Sequence, residues 1–158
     1  GMGVHLTDLM IWLFGSVDKV FASTAKRALK FKTGDVVTAS LQHSSGLNTQ
    51  ITAILKTPHY QRVTIWGENG WVELVDSSHP DTPGPSFMKI VMNDGTVKEE
   101  NFEWTDTVSA NIHNFIDSIE GKSKYLFTDV EKFQNISVLE AIYKSSLSKQ
   151  NEKVESFN

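Results

Sequence analysis

The sequence predicts an α+β fold built on one predominantly antiparallel, open-faced sheet of about six or seven strands. Three observations support this class. Apolar residues recur at helical spacing in residues 1–15. Apolar and polar side chains then alternate over residues 17–102, with turn signals between the runs. Two further segments with helical periodicity follow, so we expect an N-terminal helix and two C-terminal helices packed on one face of the sheet.

The N-terminal helix is predicted from its apolar residues and from Gly15. The residues expected to face the core are Leu6, Leu9, Met10 and Leu13. Gly15 follows the last of them and suits the left-handed conformation that often ends a helix. His5 and Asp8, three positions apart, lie on one face of this helix.

A histidine at a helix start with a carboxylate one turn later suits proton transfer, because imidazole changes charge near neutral pH. The alternative is a histidine bonded to a neighbouring backbone group. On residue chemistry alone we favour that alternative for His5.

Seven strands are predicted from the alternation, at residues 17–29, 36–43, 47–56, 60–66, 71–75, 87–92 and 96–102. Residues 76–86 hold three of the four prolines and are expected to form a loop. Ile54, Trp66 and Trp71 interrupt the polar face of the sheet. They indicate either a subunit interface or scattered apolar surface residues.

The two C-terminal helices have different signals. The first has an apolar stripe made of Val108, Ile112, Phe115, Ile116 and Ile119. The second begins at a capping box from Thr128 to Glu131 and carries Val130, Phe133, Ile136, Ile142 and Tyr143. Residues 148–158 are mostly polar, and we expect them to be a frayed tail.

Composition excludes several classes of protein. The chain has 158 residues, the length of one domain, and a net charge of −4, which argues against nucleic-acid binding. No apolar run reaches the length of a membrane span. The absence of cysteine excludes disulfides and a cysteine nucleophile, and it fits a cytoplasmic protein. The other histidines, His43, His59, His79 and His113, lack metal-ligand spacing and are expected to be surface or packing residues.

The first helix also carries a family motif. Residues 3–15, Gly-Val-His-Leu-Thr-Asp-Leu-Met-Ile-Trp-Leu-Phe-Gly, resemble the segment D-x-G-x-H-x-x-D-x-x-x-W-x-x-G. That segment opens the C-terminal domain of the glucose–fructose oxidoreductase / inositol dehydrogenase / MocA family. Residues 63–73 are similar to the family's hairpin, and residues 115–146 are similar to its closing helices.

The resemblance implies that residues 1–147 are the substrate-side, oligomerisation domain of such an oxidoreductase, with residues 148–158 as a polar tail. The N-terminal Rossmann domain, which binds NAD or NADP, is then expected outside this chain. We expect no cofactor on the chain itself, because the sequence has no G-x-G-x-x-G, and no metal, because its histidines lack metal-ligand spacing. The resemblance also favours a homo-oligomer assembled through the sheet.

Within the family motif, His5 corresponds to an active-site acid–base group. Asp8 either orients its imidazole or is a carboxylate favoured by the helix dipole. The family's aspartate four residues before the histidine is replaced by Gly1, which a tag-removal scar would explain. The expected substrate is a sugar, a polyol or a related hydroxyl compound. The alternative is a non-catalytic ligand-binding or dimerisation module of the same fold.

Overall fold

The computed structural model describes residues 3–30, 34–77, 79 and 82–156, and it confirms the α+β class with antiparallel sheets. The helices of this described part are α1 (Gly3–Phe14), α2 (Thr107–Ile119) and α3 (Asp129–Ser148). Its strands are β1 (Val17–Ala25), β2 (Val36–His43), β3 (Asn48–Ile54), β4 (Gln61–Gly67), β5 (Gly70–Asp76), β6 (Ser86–Met92), β7 (Val97–Phe102) and β8 (Glu152–Lys153). Each predicted helix and strand is therefore present, within a few residues of its expected ends.

The strands form two sheets, each with four strands, where the sequence suggested one. Their orders are β3-β2-β1-β8 and β4-β5-β6-β7, and all neighbours are antiparallel. Alternation along a strand reveals its two faces but not its hydrogen-bonding partner. The pattern therefore does not predict how many sheets the strands form.

The chain divides into two compact units, although the sequence showed no linker between them. Unit 1 comprises Gly1–Lys56 and Phe127–Asn158, and unit 2 comprises Thr57–Leu126. Unit 1 contains α1, α3 and the first sheet, while unit 2 contains α2 and the second sheet. None of the helices in the described ranges is long and apolar enough to span a membrane.

In unit 1, α3 packs on β1 and α1 packs on α3. The buried apolar residues of this core are Met10, Ile11, Val17, Val20, Ala22, Ala39, Leu41, Ile51, Val138 and Ala141.

The buried face of α1 lies about one residue further along the helix than predicted. Thr7, Met10 and Ile11 are buried, whereas Leu6 and Leu9 only pack against the edge of the core. Leu13 is exposed, contrary to expectation. Thr7 can take a buried position because its hydroxyl is hydrogen-bonded, which offsets the cost of removing it from water.

The buried face of α3 is made of small and polar residues: Gln134, Asn135, Ser137, Val138, Ala141, Ser145 and Ser146. Most of the apolar residues noted in the sequence are exposed on this helix, namely Val130, Phe133, Ile136 and Tyr143. Small residues let α3 approach β1 closely, and the polar ones supply hydrogen bonds to it. Gln134 Nε2 donates to the Val17 carbonyl at 3.2 Å, and Ser145 Oγ accepts from the Ala22 N–H at 2.9 Å.

Part of the expected tail is ordered in the sheet. β8 pairs with β1 through Lys19 with Lys153 and Val20 with Glu152. The Val154 N–H then donates to the Asp18 carbonyl at 2.9 Å. This strand can consist of polar residues because backbone hydrogen bonds hold it to β1. The pattern of apolar side chains does not reveal such backbone bonds.

Unit 2 is a meander of four strands followed by α2. The β4–β5 turn ends at Gly70, whose φ is +154°, and a Cβ there would clash with the Val91 carbonyl. Glycine is therefore required at this turn. α2 begins after Asp106, whose carboxylate accepts from the Ser109 N–H at 2.8 Å. Its predicted apolar stripe is present, and all five of its side chains are exposed.

Candidate functional site

The exposed face of α1 carries the chemically active residues. His5, Asp8 and Trp12 follow one another at intervals of three and four positions, which places them in one row. His5 is exposed, Asp8 is partly buried, and Trp12 is 69% exposed. His5 and Trp12 point to solvent, whereas Asp8 lies at the border between this row and the buried face, next to the buried Thr7. The glycine that replaces the family's aspartate, Gly1, lies outside the described residues.

The C-terminal end of α1 is fixed to the first sheet through a buried histidine. Gly15 ends the helix with φ +79°, as predicted, and its N–H donates to the Ile11 carbonyl at 2.8 Å. His43 Nδ1 lies 2.9 Å from the Gly15 carbonyl, and its Nε2 lies 3.1 Å from Thr49 Oγ1. The Phe14 ring meets the imidazole edge-on at 5.8 Å. His43 is thus a packing histidine, as expected.

The N-terminal half of α1 is fixed to α3 through the buried side chain of Asn135. Thr7 Oγ1 donates to Asn135 Oδ1 at 2.5 Å. Asn135 Nδ2 donates to the Val4 carbonyl at 3.3 Å and, through a longer contact of 3.5 Å, to Asp8 Oδ1. One amide of α3 therefore contacts the first two turns of the helix that carries His5.

Asp8 lies in an environment that favours its protonated form. Burial raises the pKa of its carboxyl above the ordinary value, the nearby charge of Glu131 raises it further, and His5 opposes the shift. Glu131 stays ionised because the Thr128 backbone N–H and hydroxyl both donate to it, which lowers the pKa of Glu131. These bonds belong to the predicted capping box, which is present at the start of α3.

His5 and Asp8 interact through charge rather than by direct contact. No hydrogen bond joins the two side chains in the described part of the chain, although their charges act on each other. The Asp8 carboxylate instead faces α3 through Asn135. Beside it is a shallow notch lined by Asp8, Ile11, Trp12, Phe127 and Glu131.

The structure brings together residues that sequence reasoning did not connect. The capping box identified Glu131 as a helix-start residue, but nothing in the sequence placed it beside Asp8. Asn135 lies in the segment that resembles the family's closing helices, but nothing in the sequence placed it against α1. Among the described residues, no cluster of three or more His, Asp or Glu side chains suits a metal ion.

The fold and this site define a class: an α+β domain whose N-terminal helix presents a histidine, a carboxylate and a tryptophan in one row. The model of the oxidoreductase family C-terminal alpha/beta domain, GFO_IDH_MocA_C, matches residues 1–155. The chain therefore belongs to the glucose–fructose oxidoreductase / inositol dehydrogenase / MocA family, as its first helix suggested. A comparison with curated proteins found no match.

Solved structures share this fold at low sequence identity. Aldose-aldose oxidoreductase from Caulobacter crescentus, complexed with glycerol, matches with a TM-score of 0.79 at 18% identity, covering 96% of this chain and 46% of that one. An oxidoreductase from Agrobacterium radiobacter, in complex with NAD+, L-tartaric acid and magnesium, matches with a TM-score of 0.77 at 17% identity. The match covers 97% of this chain and 48% of that one. WlbA dehydrogenase from Bordetella pertussis, in complex with NADH and UDP-GlcNAcA, matches with a TM-score of 0.74 at 21% identity. The match covers 99% of this chain and 44% of that one. The chain thus spans about half the length of these relatives.

Proposed function

We propose that this chain is the substrate-side domain of an NAD(P)-dependent oxidoreductase that acts on a sugar, a polyol or a related hydroxyl compound. The observation that carries the proposal is the row of His5, Asp8 and Trp12 on the exposed face of a helix fixed at both ends. The ligands of the related structures, which include glycerol, tartaric acid and a nucleotide sugar, support a hydroxyl-bearing substrate. We also propose a cytoplasmic location, on the basis of the cysteine-free sequence.

The proposed role of His5 is proton transfer. Oxidation of a hydroxyl group requires a base that takes up the hydroxyl proton, and an exposed imidazole can accept it. Asp8 does not contact the imidazole directly, so its proposed contribution is electrostatic.

The described residues do not fit a nicotinamide dinucleotide. A dinucleotide site places the pyrophosphate on a helix N-terminus that follows a glycine-rich turn. The N-termini of α2 and α3 are instead capped by Asp106 and by Thr128 with Glu131, and both carboxylates would repel a phosphate. NAD or NADP is therefore proposed to bind to a separate Rossmann domain of the complete enzyme.

The test compares two histidine substitutions in the complete enzyme. His5→Ala is expected to lower turnover by about 10²–10⁴-fold, the usual contribution of a positioned acid–base group. Cofactor affinity should change little, because the cofactor is held elsewhere. His113→Ala is the matched control, since His113 is also an exposed helix histidine but lies in unit 2. Turnover by the His5 variant at the level of the native enzyme would refute the acid–base role of His5. A native complete protein that turns over no hydroxyl compound would favour the non-catalytic module.

We further propose that the domain forms a homo-oligomer through its second sheet. Trp66 and Trp71 are directly paired on β4 and β5, so they share one face of that sheet. Trp66 is 77% exposed, and a side chain of this size is seldom left in water without a function. Ile54 is also exposed, but it lies in the first sheet, in unit 1.

Light scattering of the chain at high micromolar concentration tests this assembly. The native chain should have at least the mass of a dimer, and Trp66→Lys should lower the mass to that of a monomer. Tyr60→Lys serves as the control, because Tyr60 is similarly exposed in unit 2 but lies outside the strands. A native chain that is monomeric at this concentration would contradict the proposal.

A further inference from the structure

Asn135 has a geometry that a purely structural role does not require. It is 8% exposed, lies in the first half of α3, and contacts Val4, Thr7 and Asp8. These three residues are spaced i, i+3 and i+4, so they form one patch on α1. His5 follows Val4 directly in the chain. The direction of the imidazole therefore depends on the part of the helix that Asn135 contacts.

The orientation of the Asn135 amide follows from its partners. Its Nδ2 faces the Val4 carbonyl and the Asp8 carboxylate, which are both acceptors, so the NH2 group must lie there. The opposite orientation would place Oδ1 against two acceptors. Oδ1 therefore faces Thr7, whose hydroxyl donates to it through the shortest of the Thr7 contacts, 2.5 Å.

The charged groups around Asp8 act in opposite directions. On its own helix, His5 favours the ionised carboxylate, and on α3 the ionised Glu131 disfavours it. The Asn135 amide nitrogen lies 3.5 Å from Asp8 Oδ1, the length of a weak hydrogen bond, so this donor from α3 favours the ionised form only modestly. Neutral donors of this kind matter most where water is partly excluded.

We infer that Asn135 is a positioning residue: its amide holds the Asp8 carboxyl and the first two turns of α1, and thereby fixes how His5 meets the substrate. This inference rests on the proposed function for its catalytic consequence. The contact with Asp8 can be tested on the chain alone.

The first test follows the titration of Asp8 in the native chain by NMR of its carboxyl carbon. Protonation of Asp8 weakens its carboxyl as the acceptor of the Asn135 amide, because bonds to an ionised acceptor are the stronger ones. The side-chain NH2 resonances of Asn135 should therefore shift with the same midpoint as the Asp8 carboxyl. Asn135 resonances that stay constant through this titration would overturn the inference, and this measurement needs no variant.

The second test uses Asn135→Ala, with Val138→Ala as the matched control. Val138 is fully buried in the same helix, so its truncation loosens the packing of α3 without removing a donor from Asp8. Asn135→Ala should move the Asp8 midpoint upward by about half a pH unit, because the ionised form loses its donor. Val138→Ala should leave that midpoint in place. An equal shift in both variants would mean that Asn135 only supports packing.

The catalytic consequence is measured in the complete enzyme. Asn135→Ala is expected to lower kcat about tenfold with little change in KM, since misplacement of a reacting group affects the chemical step. It should also displace the pH profile of kcat in the direction of the Asp8 shift. An unchanged kcat and pH profile would overturn the inference. A loss of turnover in Asn135→Ala combined with full activity of His5→Ala would refute the proposed function instead.

Discussion

The two units contain sheets of the same size and the same antiparallel pairing, yet only one of them has a dry interior. Among the described residues, every buried apolar one belongs to unit 1, where α1 and α3 cover the first sheet. No described residue of unit 2 is buried. The strands of unit 2 are equally apolar along one face, which includes Val63, Ile65, Val72 and Ile90. Alternation thus predicts a strand, but a covering layer decides how much that strand contributes to stability.

The same contrast applies to polar groups. In unit 1, buried side chains of α3 make hydrogen bonds to β1 and α1 at sites that exclude water. In unit 2, the polar contacts on the sheet are exposed or only partly buried, such as the ion pair of Lys89 with Glu99 and the hydrogen bond from Ser86 to Asp76. Loss of a hydrogen bond costs more where water cannot replace it. Two pairs of substitutions compare the units directly, a third pair compares a buried with an exposed site of unit 1, and a double-mutant cycle tests an exposed pair of unit 2.

The largest expected difference is between two leucines. Leu41 in β2 is fully buried in unit 1, whereas Leu74 in β5 is 37% exposed in unit 2. Leu41→Ala should lower the free energy of unfolding by about 2–5 kcal/mol, because it leaves a cavity in a packed core. Leu74→Ala should cost about 1 kcal/mol or less. Urea denaturation measures both values. Equal losses in the free energy of unfolding would mean that the two units are packed equally well.

The next difference concerns serines at the end of α3. Ser145 is fully buried, accepts from the Ala22 N–H and donates to the Gln150 carbonyl at 2.6 Å. Ser145→Ala should cost about 1–3 kcal/mol, because the buried Ala22 N–H loses its partner. Ser148 bonds to Glu152 at an exposed position, so Ser148→Ala should change the free energy of unfolding by only about 0.5 kcal/mol. If Ser145→Ala costs no more than Ser148→Ala, α3 does not shield the Ala22 N–H of β1 from water.

A third difference concerns two aspartates with lowered pKa. The backbone N–H groups of Arg27, Ala28 and Leu29 donate to the buried Asp35 carboxylate and hold its pKa below the ordinary value of about 4. Its stabilising effect is therefore fully present above that ordinary value, and it is lost as the pH falls through the lower folded pKa.

Thermal melts across acidic pH measure this effect. At neutral pH, the melting temperature of Asp35→Asn should be well below that of the native chain. This difference in melting temperature should become smaller as the pH falls below about 4. Asp94 has a lowered pKa for a similar reason, since the Thr96 backbone N–H donates to it, but it lies in an exposed turn of unit 2. The melting temperature of Asp94→Asn should therefore differ less from that of the native chain. A difference for Asp35→Asn that does not depend on pH would show that its carboxylate charge contributes nothing.

The smallest expected effect is that of the Lys89–Glu99 pair. Its atoms lie 2.8 Å apart across β6 and β7, but both side chains are substantially exposed. A double-mutant cycle with Lys89→Ala and Glu99→Ala should give a coupling energy of about 0.2–1 kcal/mol, which high salt reduces. A coupling as large as the loss in Ser145→Ala would mean that unit 2 excludes water better than its exposure indicates.

Several features of this protein were determined by the sequence alone, because each depends on neighbouring residues. Gly15 ends α1, Thr128 and Glu131 begin α3, and the short turns fall between the predicted strands. The motif in the first helix identified the family and placed His5 and Asp8 on one face. These features follow from backbone conformation, capping and helical spacing, which act over a few residues.

Other features were decided only by the tertiary structure. The division into two sheets, the pairing of β8 with β1 and the rotated buried face of α1 all depend on contacts between distant parts of the chain. The position of Asn135 is the clearest case, because its partners on α1 lie more than a hundred residues away. In an amphipathic helix, the sequence pattern favours polar side chains outside. Asn135 and Ser145 lie inside because their hydrogen-bond partners are already buried there, and a satisfied polar group costs little to remove from water.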